Sequence, residues 1–221
     1  MNAVTEQLTE SGRQIEHASF AIIDREAGTH RYRTDQWTIV RRLIHATGDF
    51  EFNGLTRFHP QAVDAGVTAL LAGRPIVADV QMVVAGIASR RLASFGLTAY
   101  QFIDDQDVIA DAARSQTTRA VQAMRKAQRL DLLNGSIIAV GNAPTALLEL
   151  VRLIREANVH PALLVGMPVG FVAAAESKQA LAELTIPWII TAGRKGGSTL
   201  AVATIHALLA LAATHSRPGG R

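Results

Sequence analysis

His45 stands three and four residues after a pair of arginines, Arg42 and Arg41. If this segment is helical, Trp37 and Ile44 mark its apolar stripe, and His45 lies roughly 120° from the centre of that stripe. A histidine between core and solvent can exchange a proton near neutral pH, and guanidinium groups can bind a ligand's carboxylates. This spacing indicates proton transfer to an acidic ligand. A half-buried histidine that only packs is the alternative, and it stays open at this point.

Glycine-containing loops form a second set of candidates, because each one follows an apolar run. They occupy residues 141–145, 166–170 and 193–198, and Asp79 ends a fourth apolar run. Glycine allows the backbone to turn tightly and to approach a ligand closely. Helix N-termini favour negative groups. We therefore expect these loops to receive the carboxylates of a ligand.

The standard nucleotide and hydrolase motifs are absent from the sequence. A P-loop requires Gly-Lys-Ser/Thr, whereas Lys195 here precedes Gly196. No G-x-G-x-x-G turn follows a predicted strand, and no G-x-S-x-G motif occurs. The remaining histidines are scattered and lack the spacing of metal ligands. These patterns disfavour a nucleotide-dependent oxidoreductase and predict neither a metal site nor a cofactor.

The composition is that of a globular protein, with 48% hydrophobic residues and only 5% aromatic ones. A formal charge of +3 and no basic run longer than two residues disfavour nucleic-acid binding. The lack of cysteine excludes disulfides and thiolate chemistry. No continuous apolar stretch reaches about 18 residues. We therefore expect a cytoplasmic protein that does not contact membranes.

The 221 residues fit a single domain, expected at residues 13–213, with flexible termini at residues 1–12 and 214–221. Helical spacing of apolar residues, caps and glycine stops indicate several helices. They are expected at residues 13–26, 35–47, 59–73, 81–88 and 115–130. A short alternation of polar and apolar residues predicts a strand at residues 49–52.

Apolar runs predict further strands at residues 75–79 and 97–103. One unit then occurs three times: an apolar run, a glycine and a helix, with the runs at residues 136–140, 162–165 and 188–191. Continuous apolar runs are typical of parallel strands that are buried on both faces. The fold class is therefore α/β, an open, mainly parallel sheet flanked by helices. In such sheets ligands bind beyond the carboxyl ends of the strands.

Several segments, taken in order, resemble the precorrin-8X methylmutase family, which includes the cobalt-precorrin-8 methylmutases. The segments are SFAII at 19–23, RLIHATGD at 42–49, DVQMVVAG at 79–86, GNAPTAL at 141–147, GMPVGFV at 166–172, AAESK at 174–178 and GRKGGS at 193–198. The resemblance covers about residues 13–210. It implies an isomerase that moves a methyl group from carbon 11 to carbon 12 of a corrin-type macrocycle by a [1,5]-sigmatropic shift. The product would be hydrobyrinic acid or cobyrinic acid.

The resemblance also implies an open α/β fold, a homodimer and no added cofactor. The family's proton-transfer histidine falls on His45, and its substrate-contacting serine and arginine fall on Ser19 and Arg42. Further substrate contacts are expected at Thr118, Arg119, Asn142, Arg194 and Gly196. Two departures stand out: Ser115-Gln116-Thr117 replaces a Gly-Asn loop, and Thr47 stands where some relatives carry cysteine. A non-catalytic α/β module that binds a small polycarboxylate remains the alternative.

Overall fold

Six strands form one sheet in the computed structural model, which describes residue 7 and residues 9–215. They are β1 (Thr56–Phe58), β2 (Ile76–Ala78), β3 (Ala99–Tyr100), β4 (Ile137–Val140), β5 (Leu163–Gly166) and β6 (Trp188–Thr191). Their order in the sheet is β1-β6-β5-β4-β2-β3. Strand β1 pairs antiparallel with β6, and all other neighbours are parallel. The predicted open, mainly parallel α/β sheet is confirmed.

Helices cover both faces of this sheet. They are α1 (Glu10–Glu26), α2 (Thr34–Thr47), α3 (Phe52–Leu55), α4 (Ala62–Leu71), α5 (Gln81–Gly86), α6 (Ser89–Ser94), α7 (Gln106–Ser115), α8 (Arg119–Arg129), α9 (Pro144–Glu156), α10 (Ala174–Ala182) and α11 (Ser198–His215). Alternate residues of β4 point to opposite faces. Ile137 and Ala139 join the core beneath α2, α4 and α11, while Ile138 and Val140 join the core beneath α8 and α9.

The strand order reverses between β2 and β4. The chain leaves β2 for β3 on one side and reaches β4 on the other. Asp79 follows β2 and Gly141 follows β4, so both lie at the carboxyl edge where the order reverses. Open α/β sheets bind their ligands at such a point. The topology therefore predicts a ligand site at the carboxyl edge of the sheet, between β2 and β4.

The strand predicted at residues 49–52 is wrong. Helix α2 ends at Thr47 and is capped by Gly48, whose φ of 65° is left-handed. Asp49 then closes a turn by accepting the backbone N–H of Glu51 at 2.9 Å. Phe52 begins the short helix α3, and the edge strand starts only at Thr56. Four alternating residues were too few to distinguish a strand from a turn.

Other boundaries differ in detail. The helix predicted at residues 115–130 begins at Arg119, and α7 precedes it without having been predicted. The two helices are separate because Gln116 adopts a left-handed φ of 52°. Residues 10–12 and 214–215, expected in flexible termini, are helical in α1 and α11. Residues 1–6, 8 and 216–221 lie outside the described part of the chain.

Helix α11 is long and apolar enough to meet the length and composition criteria for a membrane span. Most of it is buried inside the domain, where it packs against α2, α4 and α5. Among the described helices it is the only one that meets these criteria. Its apolar character is accounted for by its place in the core.

Candidate active site

Helix α2 presents His45 to solvent in its last turn. The helix begins where the Gln36 side chain accepts the backbone N–H of Arg33 at 3.1 Å. Ile39, Leu43 and neighbouring apolar residues bury one face of the helix in the core. His45 follows the buried Ile44 and is exposed at the edge of that buried face. The predicted position at the margin of the core is therefore the one observed.

Helix α1 packs on α2 and brings Ser19 to His45. The Ser19 Oγ lies 2.8 Å from the His45 Nδ1. The ring of Phe20 stands edge-on to the imidazole, with their centroids 5.2 Å apart. Among the residues that the structure describes, none hydrogen-bonds the Nε2 of His45. This arrangement orients the imidazole through Nδ1 and leaves Nε2 for a ligand.

The two arginines before His45 both pair with carboxylates of α1. Arg42 is buried, and its guanidinium lies 3.3 Å from the carboxylate of Glu16, which is also buried. Arg41 pairs with Asp24 at 2.8 Å. Both charges are therefore matched by carboxylates of α1, which draws α1 against α2. This placement does not support the expected contact of Arg42 with the substrate.

Asp79 closes the loop after β4. Its carboxylate accepts the backbone N–H groups of Gly141, Asn142 and Ala143 at 3.0, 2.8 and 2.7 Å. Burial raises the pKa of this carboxyl, and the three N–H groups oppose that rise. Three backbone donors of the loop before α9 are thus occupied by a side chain of the protein, so these donors do not receive a ligand's carboxylate. Binding of a carboxylate at the first turn of α9 itself stays a prediction.

The loops after β5 and β6 are joined through their backbones. The N–H of Gly197 donates to the carbonyl of Met167 at 2.8 Å, and the N–H of Gly170 donates to that of Arg194 at 3.2 Å. A Cβ at Gly196 would lie 2.5 Å from the Pro168 carbonyl oxygen and closer still to that of Met167. Glycine is required at residue 196 because the two backbones approach each other so closely.

The two loops present cationic and apolar groups together. The Arg194 guanidinium lies 5.5 Å from the ring centre of Phe171. Phe171 and Val172 are 86% and 83% exposed, which is unusual for side chains of this size. Lys195 binds Asp49, just beyond the end of α2. That ion pair links the loop after β6 to the helix that carries His45.

The other predicted residues lie on the neighbouring loops. Thr118 caps α8 by accepting the N–H of Val121, and its Oγ1 lies 2.9 Å from that of Thr145 in the first turn of α9. Arg119 is exposed and pairs with Asp104 at 3.2 Å. The side chain of Asn142 is exposed as well. These residues line the carboxyl edge near α8 and α9, whereas Ser19 and His45 lie on the other face of the sheet.

Sequence reasoning missed Glu16, the partner of Arg42, and assigned no role to Lys178. Lys178 is buried in α10 together with Ala174, Ser177 and Leu181. This spacing of three, four and seven residues marks one helix face and was visible in the sequence. Within the described residues, no group of three His, Cys, Asp or Glu side chains could hold a metal ion.

Comparison with known proteins identifies the family. The family model described as precorrin-8X methylmutase matches residues 14–211. A cobalt-precorrin-8 methylmutase of Leptospira interrogans is 53% identical over 93% of this chain and 96% of its own. A precorrin-8X methylmutase of a Sinorhizobium species is 39% identical over 94% and 95%.

A solved structure agrees with this result. The crystal structure of a precorrin-8x methyl mutase from Thermus thermophilus is 48% identical to this chain. It matches with a TM-score of 0.85 over 92% of this chain and 99% of its own. The predicted resemblance and enzyme class are confirmed. The chain belongs to the precorrin-8X methylmutase family and is an isomerase of cobalamin biosynthesis.

Proposed function

We propose that this isomerase moves a methyl group from carbon 11 to carbon 12 of a late corrin precursor, with His45 as its proton-transfer residue. The observation that carries the proposal is the 2.8 Å contact between the Ser19 Oγ and the His45 Nδ1. It holds an exposed imidazole whose Nε2 has no partner among the described residues. A histidine held in this way can act as a general acid and then as a general base.

The chemistry requires no nucleophile. As the bond between the methyl group and carbon 11 breaks, the bond to carbon 12 forms, so substrate and product have the same composition. Protonation of the conjugated ring weakens the breaking bond, and the proton returns to His45 afterwards. General acid help of this kind is worth about 10² to 10⁴ in rate.

Ser19 suits both protonation states of His45. Its hydroxyl can accept from Nδ1–H when the ring is charged and carries a proton on each nitrogen. It can go on accepting from Nδ1–H after the Nε2 proton has moved to the substrate, because the neutral ring then keeps its proton on Nδ1. Ser19 thus keeps the ring oriented while the Nε2 proton moves to and from the substrate.

Substrate carboxylates are assigned to the exposed guanidinium groups. Arg194 and Arg119 are the arginines assigned to this role. The exposed ion pair between Arg119 and Asp104 is weak, so a substrate carboxylate can replace Asp104 as the partner of Arg119. Thr118, Asn142 and Gly196 shape the loops around the macrocycle. Arg42 takes a different role from the one first expected. Through Glu16 it holds α1 against α2 and thereby keeps Ser19 beside His45.

Replacing His45 tests the proposal. Purified His45→Ala should bind the macrocycle but convert it about 10² to 10⁴ times more slowly than the wild-type protein. Turnover is measured from the change in visible absorption as the conjugation of the macrocycle changes. Substrates with and without cobalt should both be tried. His17→Ala is the matched control, because His17 is an exposed histidine of α1 without a described hydrogen bond. Near-normal turnover by His45→Ala would overturn the assignment.

We also propose that the chain works in the cytoplasm as a homodimer. The burial of α11 supports a location away from membranes. The exposed Phe171 and Val172 support a second subunit near the site, since apolar side chains of this size are usually covered. Light scattering after gel filtration should give twice the chain mass of 23.6 kDa. Fractionation of the native cells tests the location.

A further inference from the structure

Lys178 is a lysine on the buried face of α10. It is 1% exposed. Its Nζ donates to the backbone carbonyl of Lys195 at 2.8 Å. Among the described residues, no carboxylate lies within ion-pair distance of it. Burying an ammonium group with one neutral acceptor is costly, and an apolar side chain would fill the same space more cheaply.

The charge nevertheless persists near neutral pH. Burial lowers the pKa of Lys178 to about 8, which leaves the amine mostly protonated at pH 7. A hydrogen bond from a charged donor is shorter and stronger than one between neutral groups. Lys178 therefore binds the Lys195 carbonyl more firmly than a neutral side chain would.

The Lys195 carbonyl receives a second buried donor. The Oγ1 of Thr191, the last residue of β6, also donates to it at 2.8 Å. The side chain of Lys195 extends to Asp49 and Glu51, beyond the end of α2. The peptide between Arg194 and Gly196 is thus held from α10, from β6 and from the loop after α2.

We propose that Lys178 and Thr191 are positioning residues, which hold the Lys195 carbonyl inward so that Arg194 and Gly196 face the substrate. The inference rests on the proposed function, which assigns those two residues to the macrocycle. Neither Lys178 nor Thr191 touches the reacting atoms. Their loss changes how the substrate binds and leaves the proton transfer at His45 intact.

Steady-state kinetics with the corrin substrate test this directly. Lys178→Met keeps the length of the side chain and removes both the charge and the donor. We expect its KM to rise about tenfold while kcat stays within about threefold, because a binding contact that is equal in ground and transition states affects KM. Its thermal stability should not fall, since an apolar side chain replaces a buried charge.

Variants of Thr191 test the same inference independently if Lys178→Met does not fold. Thr191→Val removes the other donor to the Lys195 carbonyl and should also raise KM. Thr191→Ser keeps the hydroxyl and should show the wild-type KM. Arg155→Met and Ser136→Ala are controls: Arg155 pairs with Glu183 from the last turn of α9, and Ser136 donates to a carbonyl at the opposite end of β4. Both should keep the wild-type KM.

The outcomes separate this inference from the proposed function. A wild-type KM in Lys178→Met or in Thr191→Val, with the wild-type protein active, overturns the positioning role alone. Failure of the wild-type protein to convert any corrin precursor overturns the proposed function instead. A fall in kcat at unchanged KM also contradicts the inference, because it would place these residues in the chemical step.

Discussion

At the scale of single residues, the orientation of the His45 imidazole depends on its neighbours as well as on its own position in α2. The helix could present many side chains at that margin, but Ser19 reaches Nδ1 only because α1 lies beside α2. Arg42 and Glu16 hold the two helices together from a buried position. The proposed site therefore consists of the His45 imidazole and the contacts that orient it.

Ser19→Ala measures what that orientation contributes. A neutral hydrogen bond contributes about 0.5–1.5 kcal/mol, so we expect kcat to fall by about 2- to 10-fold. The double variant Ser19→Ala/His45→Ala should be no slower than His45→Ala alone, because Ser19 acts through the imidazole. Additive losses in the double variant would show that Ser19 acts on the substrate separately.

At the scale of elements, the strands were more predictable than the helices and loops between them. The apolar runs of β4, β5 and β6 mark their positions plainly, since a parallel strand is buried on both faces. Helix α7 was missed because its buried face consists of only Val108 and Ala112. The turn after Gly48 was mistaken for a strand because its side chains alternate without facing a sheet.

Gly196 shows how the loops constrain one another. Gly196→Ala would drive a methyl group against the carbonyls of Met167 and Pro168, which cannot rotate away. We expect a loss of about 1–3 kcal/mol in the free energy of unfolding, from urea titration, and a higher KM. Gly86→Ala is the matched control, because the nearest atoms to its methyl group would belong to a side chain, that of Val202, and not to the backbone. An equal loss in both variants would contradict the backbone argument.

At the scale of the whole molecule, Glu149 makes stability depend on pH. Burial alone would raise its pKa, but hydrogen bonds and charges from Arg152 and Arg125 outweigh burial and lower it. A carboxyl whose pKa is lower in the folded state stabilises the protein above its ordinary pKa of 4.5. That contribution is lost as the pH falls through the lower, folded-state pKa.

Thermal unfolding across pH 3 to 7 should show this effect. Glu149→Gln should unfold more easily at pH 7, by about 1–2 kcal/mol, because two arginines lose a charged acceptor. The difference from the wild-type protein should vanish towards the acid end. Glu156→Gln is the control: its pair with Arg152 is exposed and is worth about 0–1 kcal/mol. A constant difference at every pH would contradict the assignment.

The sequence by itself determined the α/β class, the positions of the parallel strands, the family and His45 as the first candidate. These follow from local patterns, since apolar periodicity, glycine stops and short blocks that resemble a family are properties of neighbouring residues. Only the tertiary structure decided which group each charged side chain contacts. Arg42 meets Glu16, Asp79 occupies the donors after Gly141, and Lys178 lies beneath the loop of Arg194. Each partner is distant in sequence, so its electrostatic role exists only once the helices and loops have packed.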